Sequence, residues 1–274
     1  MRASRPLWRI AAALGALHLG CVQALKEPPP IAQLAGAEEG QVSPADASEL
    51  LQEAELLYAK RALPEIREAV RLFLQTARND STRVESLVGA AKAQVWIVDH
   101  ESDAGARDQA AVGAVQAAQW CQRSAAENAA CDFWLGAALG MQAREKHSTA
   151  LDALHLIEAA FRRAAQKDPT LEEAGPHRAL ALLYARAPGW PTGPGDPDRA
   201  LAEARKAVEL RPDYPPNQLA LGEALALTKD PQDARSARTR ALELARQRKA
   251  AGDPDAGEWI REAQEALTRK PNIP

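Results

Sequence analysis

The chain has 274 residues, 37 of them acidic and 34 basic, for a formal charge of −3. Alanine fills 60 positions, valine and isoleucine together only 17, and aromatic residues make up 4%, a balance of strong helix formers over strand formers that predicts an all-α protein of one or two domains and argues against a β sandwich or barrel. The absence of net positive charge argues against nucleic-acid binding, which needs a clustered basic face, and 46% hydrophobic residues suffice for a packed core rather than wholesale disorder.

Arg2, Arg5 and Arg9 begin the chain with no acid near them, and a mostly apolar run from Ile10 to Leu19 leads to Gly20 and Cys21. A basic start, a short apolar stretch and a small residue before a cut describe a secretory signal over residues 1–20. Roughly ten apolar residues do not span a bilayer, which needs about 20. Cys21 after Gly20 resembles the box of bacterial lipoproteins, in which this cysteine carries lipid and becomes the mature N-terminus. His18 stands where that box usually has leucine. The alternative is an ordinary signal peptide or an uncleaved anchor. Cleavage would take three arginines and no acid, leaving 31 basic residues against 37 acidic ones. Residues 21–45 include Pro28-Pro29-Pro30, Gly36, Gly40 and Pro44 and have the composition of a flexible linker. No later stretch holds the roughly 18 uninterrupted apolar residues of a membrane span.

From residue 46 to about 270 the pattern is helical and repeats. A 34-residue helix pair of tetratricopeptide type needs small residues where its helices cross, an aromatic residue in its second helix and a proline to end it. Ala69 and Phe73 mark the second helix of a degenerate first unit. Ala90-Ala91 open the next, with Ala114, Ala118 and Cys121 following. Leu135-Gly136 open a third, continued by Phe161, Ala164 and Pro169. Ala200, Ala207 and Pro212 belong to a fourth, and Leu221-Gly222, Ala234 and Ala241 to a fifth. An amphipathic helix from Asp255 to Thr268, carrying Trp259, would cap the stack. The expected fold is therefore an all-α helix-pair superhelix, an α-solenoid of about five pairs plus a C-terminal capping helix. Three units carry about ten extra residues, around 99–108, 142–152 and 186–196. Insertions in repeat proteins usually fall on one face, often the binding face.

With Cys21 set aside, Cys121 and Cys131 remain as a pair. Arg123 to Ala129 reads as the turn of an antiparallel helix pair, which would bring the two cysteines to one level. Export would permit a disulfide; the other reading is two buried thiols. No His–Cys spacing matches a zinc pattern.

The run from Ala174 to Pro191 contains Gly-Pro-His-Arg at 175–178 and Ala-Pro-Gly-Trp-Pro at 187–191. Gly195-Asp196-Pro197 and the stretch from Ala207 to Gln218 follow, and Cys-Asp-Phe-Trp-Leu-Gly precedes at 131–136. Together these resemble the T-component family of TRAP-type transporters, periplasmic tetratricopeptide lipoproteins, over roughly residues 50–247. The resemblance implies an accessory protein that associates with a periplasmic solute-binding protein and helps deliver small organic ligands to a membrane transporter. The alternative is a cell-envelope scaffold that holds partner proteins or peptides in a concave groove.

The candidate ligand or partner-binding residues are His177, Arg178, Tyr184, Trp190 and Asn217. Arg178 either lines a groove and pairs with a carboxylate, or holds the 186–196 loop through carbonyls or Asp196. Tyr184 and Trp190 form a stacking wall, or Tyr184 is core. Asn217, after Pro215-Pro216, is a helix cap. Asp99, His100, Glu101 and Asp103 are nearly consecutive and read as a solvated helix end rather than a metal site. The sequence holds no Ser/His/Asp or Cys/His constellation tied to a motif, no glycine loop after a strand and no HExxH. The expectation is a non-enzyme without cofactor or metal, exported to the periplasm. Its partners are a solute-binding or other envelope protein and, through a lipid anchor, a membrane.

Overall fold

The computed structural model describes residues 25–34, 43–146, 148, 150–228 and 230–269. The signal expected at 1–20, Cys21 and His147 lie outside these residues. After one short turn, α1 (Ile31–Leu34), the helices follow in pairs. The first pair is α2 (Pro44–Ala59) with α3 (Leu63–Thr76), and the second α4 (Arg83–His100) with α5 (Ala104–Ser124). The third is α6 (Ala129–Glu145) with α7 (Ala150–Lys167), and the fourth α8 (Leu171–Arg186) with α9 (Pro197–Leu210). The fifth is α10 (Pro215–Leu227) with α11 (Pro231–Ala250), and α12 (Ala256–Thr268) follows it. The described residues thus form an all-α solenoid of five helix pairs and a last helix. None of their helices is long and apolar enough to cross a membrane.

The helix starts are written locally. Ser43, Asp103, Asn128, Asp196 and Asp230 each accept a backbone N–H from the first turn that follows. Proline, which has no N–H to lose there, stands in the first turn of α2, α3, α9, α10 and α11. Where helices cross, small residues admit rings. Phe73 of α3 lies on Gly89 of α4, and a Cβ there would sit 2.5 Å from the ring. Phe161 of α7 lies on Gly136 of α6, where a Cβ would sit 2.7 Å away. No larger residue fits either position without moving the ring.

Cys121 of α5 and Cys131 of α6 are joined by a disulfide, their Cα atoms 5.3 Å apart. Beside it, Asp132 is fully buried. Gln122, Arg163 and Lys167 each donate to its carboxylate, at 2.8, 2.8 and 2.7 Å. A buried carboxylate held by two cations is strongly destabilising to break, so this cluster ties α5, α6 and α7 at one point.

The first helices of successive pairs touch each other, α4 to α6, α6 to α8 and α8 to α10, and so line an inner face. The array curls about it. Lys92 of α4 reaches Glu172 at the start of α8, 3.0 Å away. Arg61, in the turn after α2, makes two bonds to Asp255, just before α12, at 2.9 and 3.2 Å. Packed helix axes stand about 8–10 Å apart, so a straight stack would keep these partners far out of reach.

Two of the three insertions are absorbed into helix length. Only 101–103 separate α4 from α5 and 146–149 separate α6 from α7, while the four helices run to 18, 21, 17 and 18 residues. The third is a loop over 187–196 with a cis Trp190–Pro191 bond. The N–H of Gly195 donates to Pro188 O and that of Asp196 to Tyr184 O, both at 2.9 Å. Gly195 passes so close to Ala187 O that an added Cβ would stand 2.1 Å from it. At the N-terminal side, residues 25–34 of the expected linker lie against α5. Gln119 donates to Lys26 O and the Trp120 ring N–H to Pro29 O, each at 2.8 Å.

Candidate functional site

The start of α8 shapes the inner face. Glu172, Glu173 and Ala174 all have positive φ, 47°, 58° and 62°. Left-handed backbone costs non-glycine residues roughly 1–2 kcal/mol each, so something must hold it. Arg178 does, donating to the carbonyls of Glu172 and Glu173 at 3.3 and 3.1 Å. It also donates to Asn217 Oδ1 at 2.9 Å. Asn217 in turn donates to the carbonyls of Glu173, Ala207 and Arg211. The last two close α9, so Asn217 caps the end of α9 from the start of α10; the N-cap of α10 itself is Tyr214. Arg178 thus grips carbonyls of its own helix start, not the 187–196 loop or Asp196. Burial lowers its guanidinium pKa, opposed by the neighbouring Tyr214 and Glu172. Its charge sits 5.1 Å from the centre of the Tyr214 ring.

The turn so held presents Glu172 to Lys92. The Lys92 ammonium also stands 5.6 Å from the ring centres of both Tyr58 and Trp134. Burial raises the Tyr58 phenol pKa, with Arg61 opposing. The ring N–H of Trp134 is buried and has no hydrogen-bond partner. A cleft of about 260 Å³ opens here, lined among others by Glu55, Tyr58, Glu85, Val88, Lys92 and Glu172. Lys92 is matched by Glu172, and the carboxylates of Glu55 and Glu85 add uncompensated negative charge. The cleft can therefore take an organic group with apolar and cationic parts.

The five residues singled out from sequence do not form one site. Arg178 and Asn217 meet directly. His177 Nδ1 donates to Glu203 of α9 at 2.6 Å. Tyr184 is core, 2% exposed; its hydroxyl donates to Glu158 at 2.9 Å and accepts from Arg162 at 3.3 Å and from Arg199. Arg199 lies 3.8 Å over its ring. Burial would raise the Glu158 carboxyl, but Arg199 and Tyr184 bring it below the usual value. Trp190 stands apart, 90% exposed at the loop tip, so it forms no wall with Tyr184. The sequence reading missed the cleft, because Tyr58, Lys92 and Glu172 are brought together only by the curl.

The acidic run after α4 is dispersed among separate duties. Asp99 takes Arg144 at 2.6 Å. His100 stacks on Trp96, ring centres 3.7 Å apart. Glu101 binds Arg67 and the Asp103 N–H, which hold its carboxyl below the ordinary range, and Asp103 caps α5. Among the described residues no group of three or more His, Cys, Asp or Glu is placed to hold a metal ion.

No family model and no curated protein matches this chain. Solved structures do. A thermophilic tetratricopeptide protein of Thermus thermophilus, TTC0263, superposes with a TM-score of 0.59 at 19% identity, over 80% of this chain and 99% of that one. MamA superposes with a TM-score of 0.46 at 17% identity, over 74% of this chain and 94% of its own. The first likeness shows that the helix pairs stack as a tetratricopeptide-type superhelix.

Proposed function

We propose that this chain is a non-enzymatic binding protein of the cell envelope that holds a periplasmic solute-binding protein, a small organic ligand or both, in the manner of the T-component it resembles. The observation that carries the reading is the inner cleft, where Tyr58, Lys92 and Glu172 face a space the fold does not fill. Its charge balance favours a ligand bearing a cationic group over a simple carboxylate. The Cys121–Cys131 bond supports export, since disulfides persist in oxidising compartments. The basic, apolar start of the chain and Cys21 support a lipid anchor on a bacterial membrane.

The test is crosslinking in intact cells, detergent extraction and mass spectrometry of what the tagged protein brings with it. A solute-binding protein in near-equal amount supports the reading. Envelope-assembly proteins without one would replace it with the second reading, a scaffold that takes a peptide or helix in its groove. That second reading has its own observation: α12 already lies across the mouth of the curl.

A further inference from the structure

α12 behaves unlike a plain cap. A cap covers the last pair, and α12 does pack on α11 and α10. Yet its acidic side also binds the front of the array. Asp255 forks onto Arg61 of the first pair. Glu258 stands 3.6 Å from His100 at the end of α4. Trp259 meets the Tyr214 ring edge-on, centres 5.3 Å apart, and Arg238 donates to Ala266 O.

The helix side contributes the carboxylates of Asp255 and Glu258, the latter also held by Arg261 of the same helix at 3.0 Å, and the Trp259 indole. The surface that receives it contributes Arg61, His100 and the Tyr214 ring. Ala256 and Ala263 of α12 are buried and Trp259, Ile260, Ala266 and Leu267 half-buried, so no large apolar side chain of the helix is fully buried in its seat. Its ion pairs are partly exposed, and such pairs contribute at most about 1 kcal/mol each. A helix held this way is displaceable.

We propose that α12 is an internal occupant of a helix-docking groove, and that the groove's external partner is an acidic amphipathic helix carrying carboxylates and an aromatic residue at the spacing of Asp255, Glu258 and Trp259. The partner binds by displacing α12, and the protein is closed until it does. The inference deepens the second reading, that the groove takes a helix, and does not depend on the solute-binding reading.

The test uses the full chain and a labelled synthetic peptide of its own residues 253–269. The unaltered chain should bind the peptide weakly, because the tethered copy competes at an effective concentration in the millimolar range. The double variant Asp255→Lys, Glu258→Lys leaves Arg61 and His100 without their carboxylate partners in α12 and should bind at least tenfold tighter. Adding Arg61→Glu should abolish that gain. Equal affinity in all three chains, a gain that survives Arg61→Glu, or equal binding of a scrambled peptide would each overturn the proposal. If the double variant does not fold, hydrogen exchange of 256–268 in the unaltered chain decides. Saturating unlabelled peptide should speed it several-fold, and unchanged exchange would overturn the proposal. A two-chain mass for the unaltered protein would assign the groove to a second copy's α12 and also overturn it.

Discussion

Between α3 and α8 the helices are joined by large apolar side chains. All three phenylalanines of the chain, Phe73, Phe133 and Phe161, are buried there, with Ile66, Leu72, Leu87, Val98, Leu139 and Leu180 around them. Between α10 and α12 the buried set is mostly alanine, and Leu225, Ala234 and Ala237 form a small cluster of their own. Arginine takes over: Arg186 holds Glu223, Arg240 holds Asp213 and Arg61 holds Asp255. Fully burying one large apolar side chain stabilises by roughly 1.5–3 kcal/mol, whereas a partly exposed ion pair contributes at most about 1. One repeat geometry is thus held at its front mainly by apolar burial, with ion pairs such as Lys92–Glu172 and Arg163–Asp132 added, and at its rear mainly by contacts that salt weakens. The rear is the end from which a helix can be released at low cost.

The largest test of this contrast strikes the front through the fully buried carboxylate of Asp132. Arg163→Ala with Lys167→Ala leaves the buried Asp132 carboxylate without a cation and should cost about 3–5 kcal/mol in urea unfolding. A loss under about 1 kcal/mol would mean that the front does not depend on this point. The disulfide beside it comes next. Reduction, or Cys121→Ser with Cys131→Ser, opens a short loop and should cost about 2–3 kcal/mol, again in the front alone.

The pairs themselves were legible because close crossing admits few residue types. Ala90-Ala91, Leu135-Gly136 and Leu221-Gly222 mark helices that approach closely, and Phe73 and Phe161 mark rings that fill the gap. Pro169 and Pro212 marked the ends of second helices, and five pairs with a last helix after Asp255 stand in the structure. What was not legible has no local signature. Asp132 is one acid in an alanine-rich helix, and its partners come from α5 and α7. The turn at Glu172–Ala174 contains no glycine to announce positive φ. Asn217 after two prolines read as a helix cap, and it is one, but nothing local says that the helix it closes is α9, the one before it. The curl is the sum of small rotations between pairs. No residue pattern reveals that Arg61 will meet Asp255, and the cleft at Tyr58, Lys92 and Glu172 follows from the same rotations.

A third test lies at the boundary between the two regions. Glu158 is bound by Tyr184 and Arg199, and its carboxyl pKa is held below the usual value of 4.5. A depressed carboxyl contributes stability that is present above its unfolded pKa and lost as pH falls through the folded one. Stability should therefore drop as pH falls below about 4.5. Tyr184→Phe should cost about 1 kcal/mol near neutrality and flatten that acid limb. An unchanged limb would assign the acid sensitivity to Glu101 and Asp168, whose carboxyls are also held low.

The smallest effect bears most directly on the rear. Arg61→Ala removes both bonds to Asp255, and because both side chains are partly exposed the loss should be about 1 kcal/mol or less. Global unfolding, governed by the apolar front, should barely move. Local opening should move more: hydrogen exchange across 256–268 should rise by up to about fivefold, since about 1.4 kcal/mol would be tenfold, while exchange across α4 and α6 stays fixed. Salt should mimic the substitution. At 1 M salt the screening length falls to about 3 Å, so the unaltered chain should exchange as fast in α12 as Arg61→Ala does, and the variant should gain nothing further. Arg61→Lys keeps the charge but loses the fork and should fall between the two. If α12 instead exchanges at the rate of the front in every condition, then its packing on α11 holds it, and the ion pairs across the curl are consequences of that seat rather than its cause.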